Sequence, residues 1–332
     1  MMDKPIVFVV ILNWNDLHNT KECLRSLFKS DYPCNVVIVD NGSTDNSVSH
    51  IRKCYANVIV IENEINHGYA KGNNLGIRYA LENGAKYVWL LNNDAVVETK
   101  TLSRMIEYCE ENSNIGLLSP IIYYYDNPEE IQFCGSYVDW NKHSIILPKN
   151  REDDIDDVYQ TGDNTCLWGT ALLIKGDVIN KIGYLDEKYF AYWEDTEYSL
   201  RAIRAGYRNA IANNAKVYHK VSNNKNPYYY YFMARNEYFL WHRYVNGAKK
   251  LIYLRQYLSK RLTQYDELMD NGLIDAGNAA LDGLWSAVVR VGGRWEERKI
   301  MPDIIKKIIN INPHMWATLL QGKYLKHKIK HT

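Results

Sequence analysis

Lys86-Tyr87-Val88-Trp89-Leu90-Leu91-Asn92-Asn93-Asp94-Ala95 decides the fold class of this chain. Tyr87 to Leu91 run apolar and aromatic without a break, as in a strand buried on both faces. The run stops at three polar residues, the last a carboxylate. In an open α/β sheet ligands sit just beyond the carboxyl ends of the strands, and Asp94 falls there. One carboxylate beside phosphate oxygens is a usual way to hold Mg²⁺ or Mn²⁺, because Mg²⁺ keeps several waters and shares substrate oxygens. An Asx turn after a core strand explains the same tripeptide. Alone, it leaves both readings open.

Working outward, the same grammar repeats. Ile6 to Leu12 reads as a strand ending at Asn13-Trp14-Asn15, and Asp16 to Phe28 has helical spacing. Val36 to Val39 is a second strand, ending at Asp40-Asn41-Gly42-Ser43-Thr44-Asp45, a polar turn that caps a helix from about Asn46. Val58 to Ile61 is a third, followed by Asn66-His67-Gly68-Tyr69-Ala70-Lys71-Gly72-Asn73-Asn74 and helical spacing through Leu75, Tyr79 and Leu81. In this reading Gly68 and Gly72 serve a turn. Four strand–helix alternations predict a mostly parallel sheet with helices on both faces. Every strand ends in an Asn/Asp-rich turn, so one sheet edge gathers them. That is the outline of a nucleotide site.

Beyond it, Thr101 to Glu111 reads as a helix, Gly116 to Tyr125 as a strand, and Ile131 to Val138 as one further strand. Arg151 to Asp157 is an acidic, solvated loop. A strand at Gly169 to Ile174, a short helix from Asp177, a helix through Tyr198 to Ala205 and a strand near Val217 to His219 follow. Tyr228 to Tyr244 is an aromatic helix. The expected division is 1–245, split into a nucleotide-binding half (1–119) and an acceptor half (120–245), and a helical basic region, 246–332.

Composition narrows the partners. The chain has 332 residues, a net charge of +1 and 24% charged residues, which argues against a general nucleic-acid binder. It carries 27 Tyr and 9 Trp, rings suited to sugar faces and nucleobases, although most will pack. Its six cysteines (Cys23, Cys34, Cys54, Cys109, Cys134, Cys166) are scattered with no C-x-x-C pair, as for buried thiols in a reducing compartment. No segment approaches the roughly twenty apolar residues of a membrane span, and Ile6 to Leu12 is too short for a signal peptide. The expectation is a cytoplasmic protein, at most at the inner face of the plasma membrane.

In this order and spacing, the chain resembles the family 2 glycosyltransferases of the GT-A fold, and within them the branch of rhamnosyl- and galactofuranosyltransferases of surface polysaccharide synthesis. The stretches that carry the resemblance are Ile11 to Asn15, Val39 to Asp45, Asn66 to Asn74, Leu91 to Asp94, Gly169 to Ile174, Gly183 to Arg204, and the Tyr-rich run ending Ala234-Arg235-Asn236. Residues 246–332 have no counterpart.

The resemblance implies an α/β GT-A Rossmann-like sheet with a helical C-terminal extension. It implies an enzyme that moves a sugar from a nucleotide-sugar, dTDP-rhamnose or a UDP-sugar, to a glycan or lipid-linked acceptor. Asp94 matches the last position of the family's D-x-D metal motif, while Asn92 stands at the first, which leaves one fewer charge for the Mg²⁺ or Mn²⁺. His219 matches a histidine that completes the metal or diphosphate site, against a structural histidine. Asp195 matches the general base of a Glu-Asp motif, with Glu194 orienting the acceptor; without the family match, an acidic pair at a helix N-terminus explains both. A base opposite the diphosphate gives direct displacement and inversion at the anomeric carbon.

Leu12, Asn13 and Trp14 would flank the nucleobase, Asp40 and Asn41 meet its edge, and Asn66, Lys71, Asn92 and Asn93 complete the donor site. Asp40 is equally a turn-forming residue and Lys71 equally a solvated charge. Trp168, Gly169, Thr170 and Trp193 are candidates for the acceptor wall, against plain core packing. Arg235-Asn236 reads as an acceptor contact or a structural pair.

Two other classes compete. A nucleotide-sugar-binding scaffold subunit would have lost Asp94 or Asp195, and both are present. A sugar nucleotidyltransferase would want a Gly-rich basic loop after the first strand, and Asn13-Trp14-Asn15-Asp16 is not one. The basic C-terminal helices, with Ile304, Ile305, Ile308 and Ile309 among lysines, suggest peripheral contact with an anionic membrane, against a solvated face or a homodimer contact.

Overall fold

The computed structural model describes residues 4–148, 164–221, 226–295 and 300–321. The acidic run at 151–157 and the lysines at 323, 326, 328 and 330 lie outside them. By proximity along the fold the chain divides into two compact units, Met1–Glu187 with Glu194–Val221, and Lys188–Trp193 with Ser222–Thr332.

The first unit is built on a nine-stranded sheet. Strands β1 (Val7–Asn13), β2 (Asn35–Asp40), β3 (Val58–Glu62) and β4 (Tyr87–Asn92) form its parallel block, ordered β3-β2-β1-β4. The apolar runs of β1, β2 and β4 are buried on both faces, while β3 at the sheet edge is half-buried. Val7, Val9 and Ile11 join Leu24 and Leu27 of α1 (Leu17–Leu27) and Met105 and Ile106 of α4 (Thr101–Glu111). Phe8 and Val10 join Ala70, Ile77 and Ala80 of α3 (Gly68–Glu82) on the other face. Helix α2 (Ser47–Cys54) adds Ile51 to the first cluster.

Beyond β4 the pairing becomes mixed. β5 (Ala95–Val97), β6 (Ile115–Tyr124), β7 (Ile131–Phe133), β11 (Ala171–Lys175) and β12 (Arg208–His219) complete the sheet in the order β4-β11-β6-β12-β5, with β7 on β6. β11 is antiparallel to both neighbours, β6 and β12 are parallel, and β5 is antiparallel to β12. A three-stranded sheet of β8 (Ser136–Asp139), β9 (Ser144–Ile146) and β10 (Thr165–Cys166) stands apart from it. Helices α5 (Gly176–Ile182) and α6 (Glu194–Arg204) complete the unit.

Three local expectations change. The single strand read across Ile131 to Val138 is two, broken at Gly135, whose φ of 108° lies outside the range an L side chain adopts readily. β12 begins nine residues before Val217, its early part hidden by Asn209, Asn213 and Asn214. Gly72 belongs to a helix and not to a turn: α3 starts at Gly68, and a Cβ at Gly72 would lie 2.5 Å from Leu12 Cδ1. The glycine there permits close approach of helix to strand.

The second unit is helical: α7 (Pro227–Tyr244), α8 (Lys249–Asp270), α9 (Ile274–Val288), α10 (Asp303–Ile311) and α11 (Pro313–Gln321). α7 and α9 meet closely at Gly283, where a Cβ would stand 2.2 Å from the Tyr231 carbonyl oxygen. Arg235, fully buried, donates to the carbonyls of Lys188 (3.0 Å), Tyr189 (2.7 Å) and Gly293. Asn236 Nδ2 lies 2.8–2.9 Å from the carbonyls of Tyr189, Ala191 and Tyr192. The segment they hold carries Phe190, Tyr192 and Trp193 at φ of 64°, 67° and 74°. Left-handed backbone at bulky residues costs of order 1–3 kcal/mol each and persists only where the surroundings impose it. Arg235 and Asn236 impose it, so the structural reading of this pair holds.

Candidate functional site

The topology reverses between β1 and β4, the two central strands of the parallel block. Leu12 lies opposite Asn92 and Asn13 opposite Asp40 in register, so the polar ends of three strands meet at one edge.

Asp94 sits in the turn between β4 and β5. The antiparallel pairing of β5 with β12 places His219 opposite Ala95, and so beside Asp94. His219 Nε2 lies 3.2 Å from Asp94 Oδ1. The distance suits an ion pair, yet Oδ1 is shut off from solvent and no donor reaches it with hydrogen-bond geometry. On the other side of the ring, His219 Nδ1 lies 3.0 Å from Gln132 Oε1. With Nδ1–H donating to that amide oxygen, Nε2 carries a lone pair and faces the carboxylate. Two lone pairs at this separation repel unless a proton or a cation lies between them. A buried, orphaned oxygen next to an imidazole nitrogen is a donor set that fits a divalent metal, with the amide behind the ring fixing its tautomer. Among the described residues no group of three or more His, Cys, Asp or Glu side chains gathers to hold a metal. Such an ion would draw its remaining ligands from substrate oxygens and water, as Mg²⁺ commonly does.

The second acidic locus is the start of α6. Asp195 Oδ2 accepts from Gly169 N (2.9 Å) and Oδ1 from Thr196 N (2.6 Å). Burial pushes the Asp195 carboxyl above its usual range, partly offset by those hydrogen bonds. Glu194, 4% exposed, has an Oε2 with no partner. Its carboxyl is pushed well up, first by burial and then by the charge of Asp195. The pair therefore consists of a carboxylate in a hydrogen-bonded cradle and a neighbour inclined to stay protonated.

The remaining candidates divide into built-in and open groups. Asp40 is spent internally: Asn13 Nδ2 donates to Oδ1 at 2.7 Å, and Ser43 donates through Oγ (2.6 Å) and N (2.8 Å). Thr20 Oγ1 closes the far side of Asn13 at 2.7 Å. Asn41 is likewise consumed, donating to Asn66 Oδ1 (3.0 Å) and Gly68 O (3.1 Å) and accepting from Asn63 Nδ2 and His67 N. These residues build the turn that reads as a nucleobase edge. Asn93 Nδ2 points to Asp16 Oδ2 (3.3 Å) and Thr20 Oγ1 (3.2 Å), and Asn92 N is held by Thr170 O at 2.9 Å.

Trp14 is 55% exposed beside this edge, with Asn15 at φ 51° anchoring Thr44 N at 2.7 Å. Leu12 is half-buried under Gly72. Lys71 is half-buried in the first turns of α3, makes no ion pair among the described residues, and with burial holds the His67 imidazole below its usual range. Trp168, half-buried, stacks on Phe133 at 4.2 Å between ring centres. Thr170 is buried. Trp193 belongs to the second unit.

Three contributors escape a reading of the sequence alone. Gln132 and Ser43 act through partners distant along the chain. Tyr69 donates to Gly169 O at 2.6 Å, and burial, then Glu194, Asp195 and Asp94, raise its phenol well above the usual range. One tyrosine therefore stands within electrostatic reach of all three acids.

This sheet, with an acid in the turn after β4 and an acidic pair at the start of a later helix, is the architecture of a GT-A glycosyltransferase. Among solved structures, the fold is similar to that of S. aureus TarS 1-349 (TM-score 0.53, 20% identity, 85% of this chain and 81% of that one). It is also similar to the mannosyltransferase PcManGT from Pyrobaculum calidifontis, in complex with GDP-Man and Mn²⁺ (TM-score 0.56, 14% identity, 96% and 85%).

The sequence description "Glycosyl transferase family 2" matches residues 8–182, more than half of the chain, and the chain belongs to that family. Similar proteins include the dTDP-rhamnosyl transferase RfbF of Shigella flexneri, 25% identical over 219 residues (65% of this chain, 69% of that protein). The N-acetylglucosaminyl-diphospho-decaprenol L-rhamnosyltransferase of Mycobacterium tuberculosis is 24% identical over 230 residues (64% and 75%). The hexosyltransferase Agl10 of Haloferax volcanii is 28% identical over 205 residues, 61% of its own length. The chain is an enzyme of glycosyl transfer.

Proposed function

We propose that this protein is an inverting, divalent-metal-dependent glycosyltransferase that moves a sugar from a nucleotide-sugar to a saccharide acceptor in cell-surface polysaccharide synthesis. The donor is dTDP-rhamnose or a UDP-sugar, in keeping with what the rhamnosyltransferase relatives are named for. The observation that carries the reading is the pairing of two loci in one unit. Asp94 and His219 offer a buried, orphaned oxygen and an imidazole nitrogen 3.2 Å apart, and Asp195 offers a carboxylate whose proton affinity is raised.

Asp195 takes the proton of an acceptor hydroxyl as that oxygen bonds to the anomeric carbon. The bond from that carbon to the diphosphate oxygen breaks, and the nucleoside diphosphate leaves with the electron pair. Glu194, kept protonated by burial and by Asp195, donates a hydrogen bond to the acceptor sugar. Asp94 and His219 would hold Mg²⁺ or Mn²⁺, which when bound neutralises charge developing on the diphosphate. Trp14, Lys71 and the Asn92-Asn93 turn line the donor side. The acceptor attacks from the face opposite the leaving group, so one displacement inverts the anomeric carbon.

The test is product stereochemistry. Transfer to a lipid-linked saccharide, followed by NMR of the new linkage, gives inverted configuration on this reading. Retention, or a trapped glycosyl-enzyme, rules the single displacement out.

A lipid-linked acceptor also gives the helical unit a task. Ile304, Ile308 and Ile311 of α10 are 69%, 47% and 78% exposed, with Lys307 exposed beside them. Lys306 is engaged by Asp282 at 2.8 Å. We propose that this face touches anionic lipid. Flotation with anionic vesicles should carry the full chain, and Ile304→Glu/Ile308→Glu should lose it. Equal flotation of both removes this face from the membrane reading. Among the described residues no helix is long and apolar enough to cross a membrane.

A further inference from the structure

We propose that Tyr69 is a positioning residue for the catalytic base, holding Gly169 so that its N–H addresses Asp195. The proposal rests on the reading of Asp195 as that base.

Two independent features converge on Gly169. Its carbonyl accepts from the Tyr69 hydroxyl at 2.6 Å, and its N–H donates to Asp195 Oδ2 at 2.9 Å. The residue is therefore gripped from one side by α3 and grips α6 from the other. The second feature is steric. A Cβ on Gly169 would meet Tyr69 Oη at 2.6 Å, Cζ at 3.0 Å and Cε1 at 3.2 Å, closer than a settled contact allows. The ring lies directly against the glycine backbone, so a side chain at 169 would push the phenol off its hydrogen bond, and the phenol cannot swing without freeing that backbone. The next residue is fixed as well, with Thr170 O accepting from Asn92 N at 2.9 Å.

The electrostatics explain why the grip endures. Tyr69 is half-buried, and desolvation of its phenol, then the charges of Glu194, Asp195 and Asp94, keeps that phenol protonated. It is a permanent donor, and the Gly169 carbonyl is its acceptor. The Gly169 N–H in turn is one of the hydrogen bonds that restrain the rise in the Asp195 proton affinity caused by burial. The groups facing Asp195 are Glu194 on its own helix, Tyr69 from α3 and Cys166 from β10, whose thiol Asp195 helps to raise. With Cys166 and Tyr69 both neutral, Glu194 is the neighbour whose ionisation moves with pH alongside that of Asp195.

Removing the Tyr69 hydroxyl lets the Gly169 N–H drift from the carboxylate. A carboxylate that loses a hydrogen bond to its charged form binds its proton more tightly. The acid limb of the rate profile must then move to higher pH, because the deprotonated base is the active form.

The experiment is the pH profile of transfer by the full chain, wild type against Tyr69→Phe, Gly169→Ala and Asp195→Asn, with unfolding temperature recorded for each. The expected result is that Tyr69→Phe moves the acid limb upward and lowers kcat roughly tenfold, the scale of one hydrogen bond, with donor KM unchanged. Gly169→Ala shifts the limb the same way. An acid limb that stays in place in a folded Tyr69→Phe variant, or a loss confined to KM, overturns the proposal and leaves the base reading intact. Substantial turnover by Asp195→Asn overturns the base reading itself, and this proposal with it. If Tyr69→Phe fails to fold, ¹³C NMR titration of Asp195 in Gly169→Ala decides instead: an unchanged titration midpoint overturns the proposal, and an upward one supports it.

Discussion

His219 Nε2 stands 3.2 Å from Asp94 Oδ1, and that oxygen is shut off from solvent with no well-directed donor from the protein. The two residues are 125 apart in sequence and meet because β12 pairs antiparallel with β5, His219 opposite Ala95. A short edge strand that looks incidental is thus what joins the acid of the Asn92-Asn93-Asp94 turn to the imidazole.

The amide behind the ring gives the first prediction. Gln132 Oε1 holds His219 Nδ1 at 3.0 Å and so sets which nitrogen faces Asp94. Losing such an outer partner usually weakens a metal site by about tenfold or more. Gln132→Leu should weaken Mn²⁺ binding, in the presence of whichever of dTDP and UDP the wild type binds, by about that factor, read by calorimetry. An unchanged Mn²⁺ affinity in a folded variant would show that the amide behind the ring does not tune the site.

Glu194 predicts a pH-dependent stability. Its folded-state proton affinity is raised above the ordinary carboxyl range by burial and by Asp195. The folded state therefore binds more protons than the unfolded state between the ordinary value and the raised one, and stability falls as pH rises through that window. Unfolding temperature measured from pH 4 upward should decline across it in the wild type. Glu194→Gln and Asp195→Asn should each flatten the decline in part, since one raised group then remains, and Glu194→Gln the more, its carboxyl being pushed up further. A Glu194→Gln curve parallel to that of the wild type would contradict the assignment.

The strained segment gives a third. Asn236 shares two amide hydrogens among the carbonyls of Tyr189, Ala191 and Tyr192, and its Oδ1 accepts from Arg235 Nε at 2.8 Å. Asn236→Ala removes the amide donors to the part-buried Ala191 and Tyr192 carbonyls, leaves Arg235 holding that of Tyr189, and loosens the left-handed residues, a loss of about 2–4 kcal/mol. Urea unfolding measures it. A loss below about 1 kcal/mol would show that the carbonyls find other partners.

Close helix packing gives a fourth. At Gly283 an added methyl would stand 2.2 Å from the Tyr231 carbonyl oxygen, a backbone atom that cannot rotate away. Gly283→Ala should destabilise by about 1–3 kcal/mol through overpacking of α7 on α9. Thermal unfolding of the variant against the wild type decides it. A neutral result would mean the two helices separate without cost.

Much of this was legible in the sequence, and the limits have physical reasons. The parallel block was readable because β1 and β4 are apolar on both faces and end in Asn and Asp. Ala95-Val96-Val97 was not, since three residues after a turn show no period and their pairing depends on a strand more than a hundred residues away. Asp40 and Asn41 read as nucleobase contacts or turn formers; the local bond from Ser43 to Asp40 fits the turn reading, whereas Asn13, Asn63 and Asn66 meet them from more than twenty residues away, which no spacing rule reveals. Gly72 carried a turn signal that the helix overrode, because Leu12 needs the space. Tyr69, one of 27 tyrosines, was invisible until Gly169 was seen against its ring. Arg235-Asn236 reads in sequence as either an acceptor contact or a structural pair, and the carbonyls of residues 188–192 supply the structural partners.

The most direct measurement is turnover of a panel of dTDP- and UDP-sugars in Mg²⁺, Mn²⁺ or EDTA, wild type against Asp94→Ala. The account predicts slow hydrolysis or transfer of one donor, abolished by EDTA and lowered at least about a hundredfold by Asp94→Ala, the scale of losing charge stabilisation on a leaving diphosphate. Turnover that is indifferent to EDTA and to Asp94→Ala, or no binding of any nucleotide-sugar, would contradict it.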